Sequence, residues 1–171
     1  MSCKGKATVV SVALGLMLGG CGLSLPGSID SGKSEAAPAF MVGAAAVPSP
    51  LPGPACLGGY STNCGRRAEK EHDPLLATAI AFSNAAGGSF VLVKTTNVGF
   101  FAKYKNGEFG AYDVRRRIAQ QAGIASDHIF VVSDHSHSAP DTIGIWGGVE
   151  DAFMQQHADA AVAAGEQAWM S

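Results

Sequence analysis

The sequence predicts an α/β fold built on a mixed sheet that contains a βαβ unit, and three stretches carry that expectation. "SFVLVKTT" (residues 89–96) is rich in β-branched and large apolar residues, the composition of a strand. "AYDVRRRIAQQAG" (residues 111–123) sets Val114, Ile118, Ala119 and Ala122 on one helical stripe and closes on Gly123, a residue suited to a helix stop. "DHIFVVSD" (residues 127–134) is a short apolar run of strand length. A strand, a crossover helix and a strand in this order place residues 90–96 and 129–133 side by side as parallel strands.

The elements before this unit read in order. "MSCKGK" is a short basic start, and residues 7–20 are apolar but too short for a stop-transfer helix. They lead into "LGGC", which ends at Cys21. Two readings stay open: a lipobox-like end, with Cys21 becoming the lipidated first residue, or an ordinary secretory signal cleaved nearby. Both expect an exported protein of the cell envelope, anchored to the membrane through lipid on Cys21 or else periplasmic or secreted. Residues 22–41 are rich in Gly, Ser, Ala and Pro and read as a flexible linker, with "VPSPLPGP" (residues 47–54) as an extended entry to a folded part spanning 42–171. Cys3 and Cys21 fall in the signal region, so Cys56 and Cys64 remain. In an oxidising compartment they could close the loop "CLGGYSTNC"; the alternative is two free thiols.

"LLATAIAF" (residues 75–82) carries two signals. Asp73-Pro74 resembles a helix start, yet Leu76, Thr78, Ile80 and Phe82 alternate with alanines as a strand would. The alternation favours a hairpin with residues 89–96 across "SNAAGG". Arg115, Arg116 and Arg117 fan out around the helix and read as a solvated face. "VEDAFMQQHADAAVAAGEQAW" is a final helix, on which His157 has no partner motif. Net charge is −2 and charged residues are 15% of the chain, which points away from nucleic acid as a partner.

The candidate chemistry sits in "VVSDHSHSAPDT" (residues 131–142). On an extended chain, side chains at i and i+2 share a face, so His135 and His137 could aim at one point. That suits a metal, or a ligand beside a proton-transfer group; the plain alternative is two exposed loop histidines. The pair follows the carboxyl end of the second parallel strand, and "TNVGFF" (residues 96–101) follows the first. In such sheets ligands bind beyond the carboxyl ends. Trp146, in the glycine-rich continuation, offers an aromatic wall.

Taken together, "CLGGY", "HDPLLATAIAF", "TNVGFF", "DVRRRIAQQAGI" and "VVSDHSHSAPDTIGIWGG" occur in an order that resembles the N-terminal catalytic region of the neutral/alkaline non-lysosomal ceramidase family. The likeness runs from about residue 42 to the end. The family signature Thr-His-Thr-His-Ser-Gly-Pro corresponds to Asp134-His135-Ser136-His137-Ser138-Ala139-Pro140, with Asp134 in place of a threonine. The resemblance implies a zinc amidase acting on a lipid-like amide. His135 matches the zinc ligand and His137 the catalytic histidine beside the substrate. Asp134 is expected to orient an imidazole, and Ser138, Gly58, Gly59 and Asn97 to contact the substrate or support the site. Thr96 and Asn97 stand where members often carry an acidic residue, and "PDTIGIWGG" suits a bacterial subgroup.

The family's other zinc ligands, a histidine, a glutamate and a tyrosine, lie downstream of this motif, so the resemblance makes the chain the front part of a larger zinc-hydrolase domain, inactive alone. A catalytic zinc takes about three protein ligands. His128 is on the order of 20 Å from His135 at about 3.3 Å per residue. His72 could approach the site, and Cys56 and Cys64 could serve only as free thiols. Two other functions compete. Another metallohydrolase built on HxH is one, although Ala139-Pro140 breaks the HxHxDH pattern and a barrel of many βα repeats has no room. A non-catalytic envelope lipoprotein that binds a lipid or a partner is the other.

Overall fold

A computed structural model describes residues 40–51 and 53–171. The signal segment, Cys21 and residues 22–39 of the linker lie outside the described residues. Among the described residues there are six strands and two α-helices: β1 (Met41–Pro48), β2 (Ala55–Cys56), β3 (Arg67–Ala68), β4 (Leu76–Ser83), β5 (Ser89–Thr95), α1 (Ala111–Ala122), β6 (Ile129–Ser133) and α2 (Asp151–Met170). A four-stranded sheet has the order β1-β4-β5-β6, and β2 pairs with β3 in a small ribbon. The fold is α/β with a mixed sheet. β4 and β5 form the antiparallel hairpin, turning where Asn84 Oδ1 accepts the N–H groups of Ala86 and Gly88. β5 and β6 run parallel, joined through α1.

Alternation decides which face of the sheet is covered. Ala77, Ala79 and Ala81 of β4, Val91 and Val93 of β5, and Ile129 of β6 pack under Val114 and Ile118 of α1. They also pack under the alanine stripe of α2 at Ala158, Ala161, Ala164 and Ala168. The opposite face carries Ile80, Phe82, Phe90, Leu92, Phe130 and Val132. There Phe82 stacks on Phe90 at 4.7 Å, and Phe90 meets Phe130 edge-on at 6.3 Å. Phe130 remains 52% exposed. No helix of the described residues is long and apolar enough to cross a membrane.

Two sequence readings change. The folded part opens on a strand not expected from the sequence: β1 is eight residues long and pairs antiparallel to β4 along its whole length, with Met41 in the stretch taken as linker and Val47 and Pro48 in the extended entry. Alanine and glycine are weak strand formers, so composition hides it. They are needed because α2 lies close: a Cβ on Gly43 would sit 1.9 Å from the Ala168 carbonyl oxygen. The three arginines are not simply solvated either. Arg115 caps the Ser126 carbonyl, while Arg116 and Arg117 bind the buried Asp113, and Arg117 also reaches Asp159 on α2.

Candidate functional site

The ladder between β5 and β6 continues past both strand ends. Asp134 N–H donates to the Thr95 carbonyl at 3.2 Å, and Ser136 N–H to the Asn97 carbonyl at 3.0 Å. His135 lies between them with φ 60°, in the left-handed region. Its Nδ1 is 2.6 Å from the Val98 carbonyl oxygen. A carbonyl only accepts, so Nδ1 carries the hydrogen, and in the neutral ring Nε2 keeps its lone pair. The His135 and His137 rings meet edge-on with centroids 4.9 Å apart. The imidazoles do converge, but through a left-handed residue and not through a regular extended chain.

His137 is seated by the disulfide loop. Gly59 has φ 88°, and a Cβ there would fall 1.7 Å from His137 Nδ1, so only glycine lets the ring lie flat against the backbone. Tyr60 meets His137 edge-on at 5.2 Å, and the Arg66 guanidinium covers the Tyr60 ring at 4.5 Å. Gly58 admits Val98 in the same way, since its Cβ would sit 2.4 Å from Val98 Cγ1. Gly58 N–H also donates to the Ala139 carbonyl at 3.2 Å. Cys56 and Cys64 are joined in a disulfide. Behind it, Asp141 is fully buried and accepts four backbone N–H groups, from Ile143, Gly144, Trp146 and Gly148. That carboxylate shapes the glycine-rich loop and was not singled out from sequence. An aspartate opening "DTIGIWGG" is the signal that could have found it.

Two expected roles move. Asp134 reaches no imidazole: its carboxylate accepts from the N–H groups of Asn97 and Ser136 and from Lys94 Nζ. The Val98 carbonyl orients His135 instead. Asn97 does not face the cleft. It is fully buried, and its Nδ2 lies 2.7 Å from His157 Nε2 and 3.2 Å from Thr95 Oγ1. His157, left without a partner in the sequence, is thus part of the site's foundation. Burial pushes its pKa down to about 4, partly offset by the charge of Asp134. Ser138 is exposed. With Ser136, Thr96, Leu57, Leu75, Pro140 and the 67–74 segment it lines a cleft of about 590 Å³. His72 lines that cleft too, exposed and paired with Asp73. His128 is exposed at the opposite end of β6.

The chain shares its fold with part of neutral ceramidase. It superposes on the crystal structure of neutral ceramidase from Pseudomonas aeruginosa with a TM-score of 0.58 at 19% identity, covering 77% of this chain and 21% of that one. A second structure, a ceramidase complexed with C2, gives a TM-score of 0.65 at 18% identity, with the same coverages. The chain therefore spans about a fifth of the length of these ceramidases. No protein-family model and no curated protein sequence matches it.

The ceramidase-like region meets the needs of a zinc site only in part. His135 suits a metal ligand: Nε2 bears the lone pair and Nδ1–H is fixed by a carbonyl, the usual support for a ligating histidine. Cys56 and Cys64 are consumed in the disulfide. Among the described residues, no group of three or more His, Cys, Asp or Glu side chains stands close enough to hold a metal.

Proposed function

We propose that this chain carries one wall of a ceramidase-like amidase site. In this reading His135 Nε2 supplies one zinc ligand, and His137 holds or passes a proton beside it. The observation that supports it is the His135 Nδ1 bond to Val98, which leaves Nε2 free with the His137 ring beside it. The substrate is a lipid-like amide, cleaved to a fatty acid and an amine. When bound, zinc would polarise the amide carbonyl and activate water. The remaining ligands would come from donors other than the described residues of this chain. Gly58 and Gly59 keep the wall thin, and Tyr60 fixes the face that His137 presents. We also infer that the chain is exported and tethered through lipid on Cys21; the Cys56–Cys64 bridge favours an oxidising compartment.

The test measures zinc content and fatty-acid release from an N-acyl amine. It uses the purified chain, and the chain extended by any polypeptide encoded in frame beyond Ser171. In the extended form, His135→Ala should remove zinc and hydrolysis together. His137→Ala should retain zinc and slow hydrolysis by roughly 10²–10⁴-fold, the scale of a lost acid–base group. The chain alone should bind zinc weakly and show no hydrolysis. Unchanged zinc and hydrolysis in His135→Ala would sink the reading. The second reading, a non-catalytic envelope lipoprotein, is favoured by the missing ligand trio among the described residues. Absence of zinc and hydrolysis in every form would establish it over the first.

A further inference from the structure

We propose that His157 is a positioning residue for the imidazole pair: through Asn97 it holds the strip of backbone that orients His135. The proposal rests on the reading above for the role of His135, but not for its geometry. His157 is fully buried on α2, stacked on Phe153 at 5.5 Å and met edge-on by Phe100 at 5.4 Å, so its ring has no room to slide. Its Nδ1 is 2.8 Å from Ser49 Oγ, just past β1, and its Nε2 is 2.7 Å from Asn97 Nδ2, just past β5. One ring therefore ties together the ends of two strands and a helix.

The hydrogens in this network follow from donor and acceptor logic. Thr95 Oγ1 donates to the Val132 carbonyl at 3.2 Å, so toward Asn97 it accepts. Asn97 thus turns its NH₂ group toward both Thr95 and His157. An amide NH₂ only donates, which makes Nε2 of His157 the acceptor and places the ring hydrogen on Nδ1, toward Ser49. Asn97 Oδ1 is buried with no partner among the described residues, so the side chain is held from its NH₂ side. The same residue is the cradle of His135. Its N–H donates to Asp134 Oδ1 at 3.2 Å, its carbonyl accepts from Ser136, and the next carbonyl, of Val98, takes the His135 Nδ1 hydrogen. Releasing Asn97 from His157 frees the strip that sets the His135 tautomer.

Imidazole ¹⁵N NMR on the full chain tests this, at about pH 8 where ordinary histidines are neutral. His135 should hold its hydrogen on Nδ1, against the Nε2–H preference of free histidine. His157→Leu keeps an apolar filling and removes the acceptor; it should lower the Nδ1–H to Nε2–H ratio at His135 at least about fivefold. His157→Gln can accept from Asn97 and donate to Ser49, and should restore the ratio. If His157→Leu does not fold by circular dichroism, Asn97→Ala breaks the same link with the histidine still packed, and the same fall is expected. An unchanged ratio in a folded variant, or an Nε2–H tautomer in the unaltered chain, overturns the proposal. Neither zinc nor substrate enters the experiment, so loss of the amidase reading would leave its outcome intact.

Discussion

Burial holds the His157 imidazole neutral down to about pH 4, whereas its ordinary value is 6.5. Between these values the unfolded chain binds more protons, so stability rises with pH. The contribution is fully present above about pH 6.5 and is lost as the pH falls toward 4, for a total of about 3 kcal/mol. Urea unfolding at about pH 7 and about pH 4.5 should show the drop, and His157→Gln should flatten it. Asp141 is the other buried polar centre. Asp141→Asn would set an NH₂ group against backbone donors that now face a carboxylate oxygen. A loss of about 2–4 kcal/mol in urea stability is expected. These two residues show where sequence reading stops. His135 and His137 are neighbours in the chain, so their pairing is written in one motif. His157 and Asn97 meet across sixty positions, and nothing local in either segment announces the contact.

Close approach of α2 to the sheet and to α1 rests on two glycines. Gly43 of β1 leaves space for the Ala168 carbonyl, and Gly165 of α2 leaves space for Ile118, whose Cδ1 would lie 2.5 Å from an added Cβ. At Gly43 the obstacle is backbone and cannot rotate away. Gly43→Ala should therefore destabilise by about 1–3 kcal/mol, read as a lower urea midpoint. At Gly165 the obstacle is a side chain, and alanine gains helix propensity of about 1 kcal/mol, so Gly165→Ala should cost less than Gly43→Ala. The βαβ unit was legible because its strands are β-branched and its helix has a clean apolar stripe. β1 was not, because "MVGAAAVP" owes its strand state to β4 on one side and to α2 above it. The alanines that obscure the strand are the ones that let the helix come near.

Among the described residues, both α-helices lie on one side of the four-stranded sheet. Its other face carries the Phe82, Phe90 and Phe130 row, and contiguous apolar surface of this kind promotes association. Exchanging Phe90 and Phe130 for threonine should leave far-UV circular dichroism unchanged and raise the concentration at which light scattering reports a single small species. The described residues share the fold of part of a neutral ceramidase, over about a fifth of that protein's length. The ceramidase-like fold was legible through the order of several separated motifs, not through any one of them. The Cys56–Cys64 bridge has a bearing on timing. Closing such a loop is worth about 2–4 kcal/mol, and it secures the segment carrying Gly59 and Tyr60 against His137. With reductant, the His137 resonances should broaden while β5, α1 and β6 keep theirs. Under the export proposed above, a chain still bathed in cytosolic thiols would hold a finished sheet and an unfinished pocket wall, and oxidation after export would be the step that completes it.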